Sequence, residues 1–182
     1  AIKSLLPEGQ DNISEMLDHS LTATRLGLNE TRRTLQDLRA QPLEDLGLAL
    51  ALRNMVQTFA EREGIDIGIE ITEAPLTLPP DVEQSFYRVA QEALENITGH
   101  ARASRASVKL AANADLIELV ISDDGTGFEV KTLATEKDRY GIKGMQERAA
   151  IIGGKLSVES QIGTGTTIKL TWERLDDKSF DL

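Results

Sequence analysis

The sequence predicts an α+β protein, a two-layer sandwich with helices on one face of a mixed sheet, preceded by a long helix. Two patterns carry that expectation. Residues 11–39 hold a heptad-like seam, and from Ile65 onward the strand and helix signals run β-α-β-β-α-β-β with the strands grouped in pairs. The composition agrees: 182 residues, 40% hydrophobic and 27% charged, suit one globular domain with a helical appendage. Aromatic residues make up only 4%, so the core must rest on Leu, Ile, Val and Ala.

The first helix is read from Leu17, Leu21, Thr24, Leu28, Thr31, Leu35 and Leu38, which recur in alternating steps of four and three. Such a seam calls for partner helices, as in a hairpin or a two-chain four-helix bundle. Pro42 is expected to stop it. Asp45 then caps a second helix to about Arg62, closed by Gly64. Ile65–Ile71 alternates with period two and reads as a strand. After Pro75, Pro79 and Pro80, the pair Asp81 and Gln84 forms a capping-box pattern that opens a helix to about Ala101. Strands follow at 106–111 and 116–122, around the turn signal Asn113-Ala114-Asp115. A Gly-rich loop, a polar stretch at 129–139 and a helix near 142–152 come next. Strands at 155–160 and 166–172, joined by Gly163-Thr164-Gly165, end the pattern.

Charge and residue usage exclude several functions. Thirty Asp and Glu against twenty Lys and Arg leave a net charge of −10, which disfavours nucleic acid as a partner. There is no cysteine, so thiolate catalysis, disulfides and Cys-based zinc sites are excluded, and a cytoplasmic setting is expected. The longest apolar run, Leu46–Leu52, falls far short of the ~20 residues of a membrane span, so no membrane contact is expected of this portion.

Three clusters can carry chemistry. On the helix from residue 81, Val82, Phe86, Val89, Ala90, Ala93 and Ile97 form an apolar arc, and Glu92 and Asn96 stack one turn apart at its edge. The strand ending in Asp123 delivers a carboxylate to Asp124-Gly125-Thr126-Gly127, where residues without side chains permit close approach of a ligand. Such a carboxylate can accept a hydrogen bond from an exocyclic amine such as that of adenine. Tyr140-Gly141-Ile142-Lys143-Gly144-Met145 is expected to open a helix and present free N–H groups to an anion. Singly, each cluster has an ordinary reading: a solvated helix face, a β-turn, a hinge.

Together, in this order and with Gly163-x-Gly165-Thr166 after them, they closely resemble the N, D and G motifs of the Bergerat-fold ATPases. The stretch from Gly141 to Arg148 resembles the form found in sensor histidine kinases of the NarX/DesK type. Leu38–Leu48 and Glu30-Thr-Arg-Arg resemble the end of that group's dimerisation region and its link to the ATP domain. The resemblance covers about residues 15–172 and implies ATP and Mg²⁺ as ligands. It implies Asn96 as the Mg²⁺ ligand, and Glu92 as the catalytic residue that orients a metal-bound water or helps deprotonate the acceptor imidazole. Asp123 would take the adenine amine with support from Thr166, and Gly125 and Gly127 would admit the base. Gly141, Gly144 and Met145 would line the phosphate side, under a lid at 129–139. The implied function is transfer of the γ-phosphoryl to a histidine and thence to the receiver domain of a response regulator. The full protein would be a homodimer through its N-terminal helices.

Two departures from the family pattern stand out. Gly99 occupies the place of a basic residue before His100, and His100 itself reads as a packed structural histidine. His19 lacks the acidic neighbour of a phosphoacceptor, so the acceptor is expected to lie outside this chain. The expected organisation is a partial dimerisation region at 1–42, the ATP-binding domain at 43–174 and an acidic tail at 175–182. Another Bergerat-fold ATPase, or a degenerate module that only dimerises or docks, is the alternative.

Overall fold

A computed structural model describes residues 41–72, 78–113, 115–129 and 136–174. The long helix expected over 11–39, the middle of the expected lid and the acidic tail lie outside the described residues. The chain divides into two compact units between Gln41 and Pro42, and apart from Gln41 itself the described elements all belong to the second.

These elements are helix α1 (Gln41–Glu63), strand β1 (Asp66–Ile71), helix α2 (Pro80–Asn96) continued by a π-helical turn (Ile97–Ala101), strands β2 (Arg105–Ala112) and β3 (Leu116–Asp123), helix α3 (Glu136–Ile151), and strands β4 (Lys155–Gln161) and β5 (Gly165–Glu173). The strands lie in the order β1-β2-β3-β5-β4, with β1 and β2 parallel and every other pair antiparallel. α2 makes the parallel crossover, a connection too long for a hairpin. This is the expected mixed sheet.

Three boundaries differ from the sequence reading. Pro42 lies in the first turn of α1, where its missing N–H costs nothing. The interruption comes instead at Gly47 (φ 69°, ψ 166°), a conformation open to glycine. The helix restarts at Leu48, whose freed N–H is accepted by the Glu83 carboxylate of α2; burial nonetheless raises the pKa of Glu83 above the ordinary carboxylate value. The capping box at Asp81 is not formed, because α2 begins one residue earlier with Pro80 at its start and no side-chain cap. Finally, α3 begins at Glu136, several residues before Gly141.

The helix-covered face of the sheet is built in rows. Ile71, Leu110, Leu119, Leu170 and Leu156 stand side by side on β1, β2, β3, β5 and β4, and Ile69, Val108, Ile121, Ile168 and Val158 form the next row. Phe86, Val89, Ala90 and Ala93 of α2, Met145 and Ala149 of α3, and Leu48, Leu52 and Val56 of α1 complete one buried cluster with these rows. The Trp172 indole N–H donates to the Ile152 carbonyl (2.9 Å), tying the end of β5 to the segment after α3. On the other face, Glu70 pairs with Lys109 (3.0 Å) and Glu118 with Lys169 (2.5 Å), both partly or fully exposed. That alternation leaves one face apolar and one wet.

Candidate functional site

One row further along the covered face, the same strands carry Ile67, Ala106, Asp123, Thr166 and Ser160. The row turns polar over β3, β5 and β4, at the end of the sheet where β3 stops and β5 begins. Asp123 is thus held by register, with Thr166 directly opposite it. Its carboxylate accepts the Gly125 N–H (2.8 Å) and a backbone hydrogen bond at Thr166. Burial still raises its pKa above the ordinary 3.8, and the neighbouring Asp124 charge adds to the rise.

The loop after Asp123 is fastened on both sides. The Thr126 N–H donates to the Ala101 carbonyl (2.7 Å), and the Gly163 N–H donates to the Thr126 carbonyl (2.7 Å). Gly125 lies so close to Ala101 that any Cβ would strike its carbonyl, and would also come 2.7 Å from Asp123 Oδ1. Gly127 presses on the Gln161 carbonyl and Gly165 on that of Asp123, both at positive φ. Part of the work of these glycines is therefore internal: they let the loop seat against the end of α2 and the β4–β5 turn.

Asp124 faces the other way. Its carboxylate accepts the Ser104 N–H (2.8 Å), the Ser104 hydroxyl (2.8 Å) and the Arg105 N–H (2.9 Å). These hydrogen bonds, together with the Arg105 side chain 3.7 Å away, lower its pKa to about 2. Adjacent carboxylates are thereby shifted in opposite directions, one aimed into the site and one clamping the start of β2.

On the helical side, Gly141 of α3 abuts α2. A Cβ there would lie 2.6 Å from Glu92 Oε1, 3.5 Å from Asn96 Oδ1 and 3.6 Å from Asn96 Nδ2. Residues nearly fifty apart in sequence are brought into contact. Gly141 and Gly144 stand inside α3 rather than at its start, so the helix does not open at Gly141 as expected. Gly144 faces open space, with nothing within 4 Å of where its Cβ would be, and Met145 is buried in the core. Gly99 is likewise open, in the π-helical turn. The His100 side chain lies outside the described residues.

Three contributors are not visible from motif spacing: Ala101, Asp124 and Ser160. Ser160 shares strand parity with Leu156 and Val158, so a period-two reading of β4 alone places it on the site's face.

The fold is an open α+β sandwich with a carboxylate at a strand end and a helix that sets Glu92 and Asn96 against a glycine of the next helix. The chain belongs to the histidine kinase-, DNA gyrase B- and HSP90-like ATPase family, whose sequence profile matches residues 81–176. It is 36% identical over 159 residues to the sensor histidine kinase MctS of Rhizobium johnstonii, covering 87% of this chain and 34% of that one. To the signal transduction histidine-protein kinase/phosphatase DegS of Brevibacillus brevis it is 38% identical over 143 residues, or 78% and 36% of the two chains. The chain thus spans about a third of the length of these relatives. In fold it is similar to the mycobacterial sensor histidine kinase MprB, with TM-score 0.53 and 17% identity over 67% of this chain and 92% of that one.

Proposed function

We propose that this chain is the ATP-binding catalytic portion of a two-component sensor histidine kinase, which passes the γ-phosphoryl of ATP to a histidine and thence to a response-regulator receiver domain. The observation that carries the reading is the packing of Gly141 onto Glu92 and Asn96, which joins two motifs of the family at one end of the sheet. The similarity to sensor histidine kinases supports the kinase branch of the family over its other ATPases.

In this reading Asp123 accepts from the adenine amine, with Thr166 beside it, and Gly125 and Gly127 keep the loop clear of the base. Gly141 and Gly144 leave room for the phosphates, and Met145 supports that part of α3 from the core. Asn96 ligates Mg²⁺ and Glu92 orients water or takes the acceptor's proton. Among the described residues no group of three or more His, Asp or Glu could hold a metal. A single amide oxygen beside a carboxylate suits Mg²⁺, which keeps much of its water and completes its shell with substrate phosphates. When bound, the ion would neutralise charge on the phosphates; the chain's own residues position the nucleotide and exclude water. Homodimerisation through the N-terminal helices, division into a partial dimerisation region, catalytic domain and tail, and a cytoplasmic location belong to the same proposal. Among the described residues, no helix is long and apolar enough to cross a membrane.

The test is phosphotransfer. The chain is incubated with γ-labelled ATP, Mg²⁺ and a two-helix hairpin bearing an acceptor histidine. Label on the hairpin, lost with Asn96→Ala, is expected. No transfer from a chain that binds ATP would favour the docking-module alternative.

A further inference from the structure

The hydroxyl of Ser160 makes three contacts at the edge of the site. It accepts the Phe128 N–H at 2.9 Å, lies 3.1 Å from the Gly165 carbonyl oxygen, and lies 3.0 Å from Thr166 Oγ1. A serine hydroxyl has one hydrogen and two acceptor lone pairs. The Gly165 carbonyl can only accept, so the Ser160 hydrogen goes there. One Ser160 lone pair is used by Phe128, which leaves the other for Thr166. The Thr166 hydroxyl must then donate to Ser160. Its own oxygen keeps two lone pairs and no hydrogen, directly opposite the half-buried carboxylate of Asp123 in the register of β3 and β5.

We propose that Ser160 is a specificity-determining positioning residue: it takes the hydroxyl proton of Thr166 and so fixes the base-reading row as acceptor beside acceptor. Such a row takes an amino group, which has two hydrogens to give, and repels a carbonyl oxygen at the same place. Ser160 itself touches no nucleotide; it acts through Thr166, and by holding Phe128 it also pins the far end of the Gly-rich loop. The inference rests on the nucleotide reading and refines it, because it makes base discrimination depend on a residue of β4 outside the motifs.

The experiment is calorimetric titration of the chain with ATP and with inosine triphosphate, in which a carbonyl oxygen replaces the amine. Wild type is expected to prefer ATP. In Ser160→Ala the Thr166 hydroxyl is free to turn and donate, so the preference should fall by about three- to tenfold, the scale of one net hydrogen bond. Ser160→Thr, which keeps a hydroxyl on the strand, should restore it. Thr166→Val should lower the preference as well, and Ser160→Ala combined with Thr166→Val should lower it no further than Thr166→Val alone, since both act through one oxygen. Equal weakening of both nucleotides by Ser160→Ala would overturn the proposal and leave Ser160 a structural strut. Should Ser160→Ala not fold, an unchanged preference in Thr166→Val overturns it equally. Failure of the wild type to bind either nucleotide would instead overturn the nucleotide reading itself.

Discussion

The row Ile71-Leu110-Leu119-Leu170-Leu156 and the row Ile67-Ala106-Asp123-Thr166-Ser160 lie on the same face of the same five strands, four residues apart along the sheet. The first is fully apolar and serves stability. The second keeps the pleat and the register but exchanges three side chains for oxygen-bearing ones, where α2 turns into a π-helical segment and a loop replaces helix cover. The sheet therefore needs no special geometry to make a site; it continues its own periodicity past the edge of the core. What the polar row loses in burial free energy it regains as positioned acceptors, and the cost is a half-buried carboxylate.

The contrast between the rows is largest in stability, and the apolar row is where substitution should hurt most. Leu119→Ala, at a position 1% exposed in the middle strand, should destabilise the domain by about 2–5 kcal/mol, read from urea unfolding. The corresponding change in the polar row, Thr166→Ala, should cost far less stability.

Glycine packing around the site comes next. Gly125→Ala drives a methyl into the Ala101 backbone and should cost about 1–3 kcal/mol and loosen the loop, seen as faster amide exchange at Thr126. Gly141→Ala meets the movable end of Glu92 instead. It should leave thermal stability closer to wild type while reducing transfer activity, because the displaced carboxylate is the one to which the proposed function gives the catalytic role.

The two neighbouring aspartates, shifted in opposite directions, should be told apart through pH. Asp124 has its folded pKa lowered to about 2 from 3.8, so it contributes stability that is present above pH 3.8 and lost as pH falls toward 2. Asp123 has its folded pKa raised, so its ionised form penalises folding above that value and the penalty vanishes as pH falls below 3.8. In denaturation at a series of pH values, Asp124→Asn should be less stable than wild type at neutral pH. Asp123→Asn should be as stable or more so, and both differences should close in acid. A neutral-pH loss of stability in Asp123→Asn would mark that residue as structural.

The smallest expected effect is at Gly99. Nothing lies within 4 Å of a Cβ there, so Gly99→Arg should be tolerated and stabilise by up to ~1 kcal/mol through helix propensity, with tighter ATP binding if the guanidinium reaches the phosphates.

Much of the fold is legible in the sequence because burial writes a period into it. The arc Val82, Phe86, Val89, Ala90, Ala93, Ile97 is buried as its spacing requires, and the strands alternate as read. The start of α3 is not legible, because 136–140 carries no apolar periodicity to distinguish helix from coil. Nor is the break at Gly47, where Pro42 offers the more conspicuous stop signal and the receiving carboxylate, Glu83, comes from another helix. At the site, the motifs show which residue types occur and in what order. The contact of Gly141 with Glu92, the seating of Gly125 on Ala101, and the proton order of Ser160 and Thr166 depend on strand and helix neighbours that local spacing does not encode.

Whether the polar row reads an adenine nucleotide through Asp123 is decided by calorimetric titration of ATP with and without Mg²⁺, on wild type and Asp123→Asn. Wild type should bind in a Mg²⁺-sensitive manner, and a folded Asp123→Asn should bind more weakly by about 1–3 kcal/mol, the cost of a mispaired buried polar contact. Equal affinity in the two proteins, or no heat from folded wild type at millimolar ATP, would contradict a role for Asp123 in reading the base.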